Sequence, residues 1–157
     1  MEIDVENSVY GQRAKQLFLE GYNCSQSVFL AFEDKYDMDH STAMKLSSSF
    51  GGGMGRLREC GAVSGMFMVA GILYGYDEPK DFEGKSEHYA RIQQLAAEYQ
   101  KRNGSIVCRE LLGLGKGKDD PTPSKRTQEY YKKRPCPDLA ATAAAIMEAY
   151  IREQENA

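Results

Sequence analysis

Cys60-Gly61-Ala62-Val63-Ser64-Gly65-Met66-Phe67-Met68-Val69-Ala70-Gly71-Ile72-Leu73-Tyr74 decides the fold. The stretch is apolar almost all round, which marks a helix buried at the centre of a domain rather than laid on its surface. The uncharged run continues to Tyr76 but falls short of the about 20 residues that a bilayer crossing needs. Glycines at 61, 65, 71 and 75 also interrupt it. A core helix of this kind needs amphipathic partners, and the flanking sequence supplies them.

Upstream, Ser8 to Glu20 places Val9, Ala14, Leu17 and Phe18 at helical spacing, with Gly21 as the stop. Cys24 to Tyr36 follows with Val28, Phe29, Ala31 and Phe32 on one side, and Asp39 caps a third helix carrying Ala43, Met44, Leu46 and Phe50. Downstream, Asp81 caps a long amphipathic helix to about Arg102, with inward positions Tyr89, Ile92, Leu95, Ala96 and Tyr99 and Asn103-Gly104 as the stop. Ser105 to Leu112 reads as a short helix, Lys125 to Lys133 as a polar one, and Asp138 to Glu153 as a final amphipathic one. Strand alternation and internal repeats are absent. The expected fold is an all-α bundle of about six to eight helices, with residues 1–157 forming one domain.

Residues 113–123 form the clearest irregular stretch, with Gly113, Gly115, Gly117, Pro121 and Pro123. This loop is expected to be mobile or to act as a lid. The formal charge of −3, from 20 basic and 23 acidic residues, gives no bias toward polyanions, so nucleic acid is not expected as a partner. The run Lys132-Lys133-Arg134 reads as a solvated helix face. The acidic start Met1-Glu2-Ile3-Asp4-Val5-Glu6 lacks the layout of a signal peptide. A cytoplasmic location, away from membranes, is therefore expected.

Chemistry is concentrated in four cysteines, each beside a helix-starting signal. Cys24 follows Asn23, Cys60 opens the central helix, Cys108 stands three residues after Ser105, and Cys136 lies between Pro135 and Pro137. With Pro137 at the first helical position, Cys136 would be the cap. A helix N-terminus exposes free N–H groups and favours a thiolate, the form that attacks disulfides and binds metals. The spacings of 36, 48 and 28 residues contain no Cys-x-x-Cys, so a shared site must be assembled by the fold. The competing reading is four small buried hydrophobes.

Gly51-Gly52-Gly53-Met54-Gly55-Arg56 precedes the core cysteine. It follows a helical pattern and lacks the Lys-Ser/Thr ending of a phosphate-binding loop. Its glycines let backbone pass close to a cysteine site, while Arg56 and Arg58 supply positive charge. Gly61, Ala62 and Gly65 make a small-residue face for close helix packing or a homodimer contact. Gly52, Gly53, Arg56 and Gly61 are thus the candidate cofactor-contacting residues, and His40 and His88 read as surface groups.

At these positions the chain resembles the C_GCAxxG_C_C family, named for a lone cysteine, a Gly-Cys-Ala-x-x-Gly core and two further cysteines. The corresponding residues are Cys24, then Cys60-Gly61-Ala62-Val63-Ser64-Gly65, then Cys108 and Cys136, over about residues 21–136. The departure is local: Glu59 precedes the core cysteine and glycine follows it. The resemblance implies redox activity, and a similar module accompanies an iron-sulfur site in some multihaem electron-transfer proteins.

Three functions remain open at this point. Cys24, Cys60, Cys108 and Cys136 could ligate an iron-sulfur cluster for single-electron transfer with a redox partner protein. They could instead cycle through a disulfide without metal. Alternatively, they could close a structural zinc site or be inert in a helical interaction domain.

Overall fold

The computed structural model describes residues 1–114 and 122–157. Among these, eight α-helices account for the architecture: α1 (Val9–Leu19), α2 (Cys24–Ala31), α3 (His40–Ser48), α4 (Gly61–Tyr74), α5 (Phe82–Asn103), α6 (Cys108–Leu111), α7 (Gln128–Lys133) and α8 (Cys136–Glu155). The all-α expectation holds. Extended pairing among the described residues is limited to an isolated antiparallel bridge between Glu59 and Val107.

Local signals explain most helix ends. The side chains of Ser8, Asn23, Asp39 and Asp81 accept from the N–H groups of Gly11, Gln26, Thr42 and Gly84 respectively. Asn23 and Gln26 complete a reciprocal capping box. Gly104 ends α5 in the left-handed conformation. Three boundaries differ from expectation. The second helix stops at Ala31, because Phe32 (φ −104°, ψ 19°) leaves helical geometry and a 3₁₀ turn, Glu33–Lys35, follows. The short helix begins only at Cys108, with the Ser105 hydroxyl engaged by the Val107 N–H. The last helix starts earlier, at Cys136: Pro135 is the cap, so Cys136 occupies the first helical position and Pro137 the second.

Helix α4 packs against α2, α5 and α8, while α8 also covers α1, α2 and α5. Their shared core includes Phe18, Phe29, Phe32, Val63, Met66, Leu95, Tyr99, Ile146 and Met147, all 2% exposed or less. Alanines 140, 143 and 144 of α8 are fully buried, which lets neighbouring backbones approach closely. The small-residue face of α4 is filled from within the chain. A Cβ on Gly65 would stand 2.6 Å from the Ser25 carbonyl and 3.0 Å from the Val28 Cβ of α2. Val9 and Tyr89, expected inside, are 60% and 54% exposed. Val9 stands off the buried face that Gly11, Ala14 and Phe18 share, although its neighbours Ser8 and Gly11 reach α8 at Glu148 and Ala141.

Candidate functional site

The bridge between Glu59 and Val107 is the joint on which the site is built. The Cys60 N–H donates to the Ile106 carbonyl at 2.7 Å, and the Cys108 N–H donates to the Arg58 carbonyl at 2.6 Å. Two cysteines 48 residues apart in sequence are thereby held on adjacent extended segments, each at the start of a helix. The approach to Cys60 is a tight left-handed turn. Gly52, Gly53, Met54 and Gly55 have φ between 60° and 66°, and the Arg58 N–H closes the turn on the Gly53 carbonyl at 3.0 Å. Met54 adopts this conformation despite its Cβ, at a cost of about 1–2 kcal/mol.

The turn brings backbone close to sulfur. The Gly52 N–H pulls the Cys24 thiol's ionisation down, and the N–H groups of Ala62 and Val63 do the same at Cys60. A Cβ on Gly61 would fall 2.4 Å from the Cys24 sulfur, and one on Gly53 would meet the Cys108 Cβ at 2.9 Å. Close approach at these two points therefore requires glycine.

All four cysteines line one cavity of about 640 Å³. Cys24, Cys60 and Cys108 are buried, Cys136 is half-buried, and all four are free thiols. Gly51, Gly52, Gly55, Leu57, Leu111 and Leu112 contribute to the wall, as do Arg126, Tyr130 and Arg134. Gly52 thus lines the cavity itself. Gly53 and Gly61 instead pack directly against cysteine side chains, and Arg56 is exposed beside the wall. Behind the wall, the fully buried Tyr99 hydroxyl lies 3.3 Å from the Cys60 sulfur. Burial first, and then Cys60, push its ionisation far up, so the phenol keeps its proton and can donate to a Cys60 thiolate.

The electrostatics reverse the simplest reading of cysteines at helix starts. Burial raises all four thiols above the ordinary value of 9.0, Cys60 to about 11 and Cys108 to about 12. Mutual repulsion among the sulfurs adds to this. Arg134 opposes it at Cys108 and Cys136, and Arg126 at Cys136. The N–H groups near Cys24 and Cys60 are outweighed by lost hydration.

A pH dependence follows. The native state holds these protons more tightly than the unfolded chain, so their stabilisation is complete below pH 9 and is lost as pH rises toward 11–12. The melting temperature of reduced, metal-free protein should already fall between pH 9 and 10, and less steeply in Cys60→Ser. Identical slopes in the two proteins would contradict this.

Arg126 and Arg134 line the cavity, a placement that sequence reasoning missed. Arg126 donates to the Phe18 and Tyr22 carbonyls and stacks 3.9 Å over the Phe18 ring, fastening the segment before α7 to the α1–α2 turn. Arg134, in the run read as a solvated face, is half-buried at the cavity wall. The expectation for loop 113–123 falls largely on residues 115–121, outside the described residues. Of the loop's described residues, Leu114, Thr122 and Pro123 line the cavity.

No helix among the described residues is long and apolar enough to cross a membrane. Nor do any three His, Cys, Asp or Glu side chains among them close on a single metal-ion position.

The molecule is therefore an all-α protein built around a four-thiol cavity. The family model described as "Putative redox-active protein (C_GCAxxG_C_C)" matches residues 22–150, and the chain belongs to that family. Comparisons with curated proteins and with solved structures find no match.

Proposed function

We propose that this protein is a single-electron carrier whose Cys24, Cys60, Cys108 and Cys136 hold an iron-sulfur cluster. The observation that carries this reading is the presence of four unpaired thiols around one cavity, with the backbone of Gly53 and Gly61 drawn up against Cys108 and Cys24. The donor set fits such a group. Thiolates are its usual ligands, and N–H bonds to sulfur and limited solvent access are the protein's means of tuning potential. When bound, the cluster supplies a reversible one-electron couple.

The chain's own residues have definable roles. The four sulfurs bind, and each must lose a proton to do so, which makes loading pH-dependent. Arg126 and Arg134 offset the resulting negative charge. The Tyr99 hydroxyl orients Cys60 and stabilises charge on its sulfur. Leu57, Leu111 and Leu112 limit water at the wall.

The alternatives are less well supported. A lone zinc needs all its ligands at one point, where no three candidate ligands among the described residues meet, whereas a two-iron cluster asks only two sulfurs of each iron. A thiol-disulfide function needs an accessible thiolate, whereas burial keeps these thiols protonated near neutral pH. Anaerobic incubation of reduced protein with iron and sulfide should produce visible charge-transfer absorption that a reductant bleaches and reoxidation restores. A colourless protein that reversibly loses two mass units in redox buffers would replace this reading with the disulfide one.

A further inference from the structure

The mouth of the cysteine cavity has a charge unlike the rest of the chain. Among the described residues that line the cavity or lie within two positions of one that does, eight are Lys or Arg and five are acidic (Glu20, Glu59, Glu110, Glu129 and Asp138), a local balance of +3. The whole chain stands at −3, which leaves −6 for everything else. Arg56, Arg58, Lys125, Lys132 and Lys133 are exposed, and each adjoins, or lies within two residues of, a residue that lines the cavity. Apolar surface is open there as well: Leu114, on the wall, is 40% exposed. Apolar area among charged groups suits a protein docking surface.

We propose that this mouth docks an acidic electron-carrier protein. The inference rests on the one-electron reading of the site and adds the partner's chemistry. Electron transfer needs only brief contact close to the cysteines. A complementary rim raises encounter rates and sets orientation without requiring a large interface. The charge pattern disfavours other anions. An extended nucleic acid would run from the mouth onto the rest of the chain, of net charge −6, whereas a compact acidic protein touches the mouth alone.

The test uses the full chain with an acidic flavodoxin as probe, and a basic cytochrome c and a DNA duplex as controls. The flavodoxin should bind at low salt and weaken steeply as salt rises, while the cytochrome should not bind. Combined Arg56→Glu, Lys125→Glu, Lys132→Glu and Lys133→Glu should weaken flavodoxin binding and slow its electron transfer by about tenfold or more. Lys101→Glu, on the last turn of α5, should change neither. Reduction by a small neutral mediator should be the same in all variants.

Salt-independent binding, unchanged affinity in the combined variant or tighter binding of DNA would overturn the docking proposal. A chain that the mediator cannot reduce would overturn the electron-carrier reading instead. The binding arm would still decide the surface in that case.

Discussion

Cys60→Ser should abolish iron and sulfide binding while leaving helix content and fold unchanged. Cys60 is 4% exposed, sits at the cap of the central helix, and is tied through its N–H to the segment that carries Cys108. Serine preserves that backbone bond, and its hydroxyl can take over the Tyr99 contact. The apo protein should therefore lose only about 1 kcal/mol. The loss of metal should be complete, because an alkoxide is far harder to form than a thiolate and is a poorer match for iron-sulfur chemistry. Iron analysis with circular dichroism of the same sample separates the two effects.

Tyr99→Phe is the informative contrast: it keeps all four sulfurs and removes one hydrogen bond. Iron content should stay full while the reduced state is disfavoured, lowering the midpoint potential. A variant Cys60→Ser that retains iron and reversible reduction would remove Cys60 from the mechanism.

Gly61→Ala and Gly71→Ala should have opposite signs although both lie on α4. In an open helix the added methyl stabilises by about 1 kcal/mol. At Gly71 nothing stands within 4 Å of the new Cβ, so that gain should appear. At Gly61 the new Cβ would meet the Cys24 sulfur at 2.4 Å, the Phe50 carbonyl oxygen at 2.8 Å and the Gly51 Cα at 3.2 Å. Two of these are backbone atoms, which cannot rotate away. Overpacking of this kind costs about 1–3 kcal/mol and outweighs the propensity gain.

Gly61→Ala should thus lower the melting temperature by several degrees, at about 2–4 °C per kcal/mol, and displace the Cys24 sulfur enough to cut cluster content. Gly71→Ala should melt higher with cluster content intact. Equal behaviour of the two variants would mean that the approach of α4 to Cys24 does not constrain the site.

Helix order was legible because its signals are local. The uniform apolarity of 61–74, the caps Asn23, Asp39 and Asp81, and the Asn103-Gly104 stop all act within a few residues of the ends they specify. The one-residue displacement at Cys136 is also local: proline is tolerated at either of the first two helical positions, and its presence does not distinguish them. What lay beyond reading depends on partners distant in sequence. The joint that aligns Cys60 with Cys108 is a single bridge between Glu59 and Val107, too short to leave an alternating pattern. Tyr99 was legible as an inward residue, but its bond to Cys60 was not, because the register between α4 and α5 sets it.

The direction of the thiol shifts was misread for a related reason. Helix starts can be seen in sequence, whereas the burial that dominates at these four positions cannot. Arg134 was hidden inside a basic run, and only the fold distinguishes the residue on the wall from Lys132 and Lys133 beside it.

The central claim is that the four cysteines together hold an iron-sulfur cluster. Its most direct test is the measurement of iron and acid-labile sulfide per chain in protein purified without oxygen. Near-equal amounts of both are predicted, lost together when any of Cys24, Cys60, Cys108 or Cys136 becomes serine. Protein free of both, or carrying one zinc per chain and no sulfide, would contradict the account.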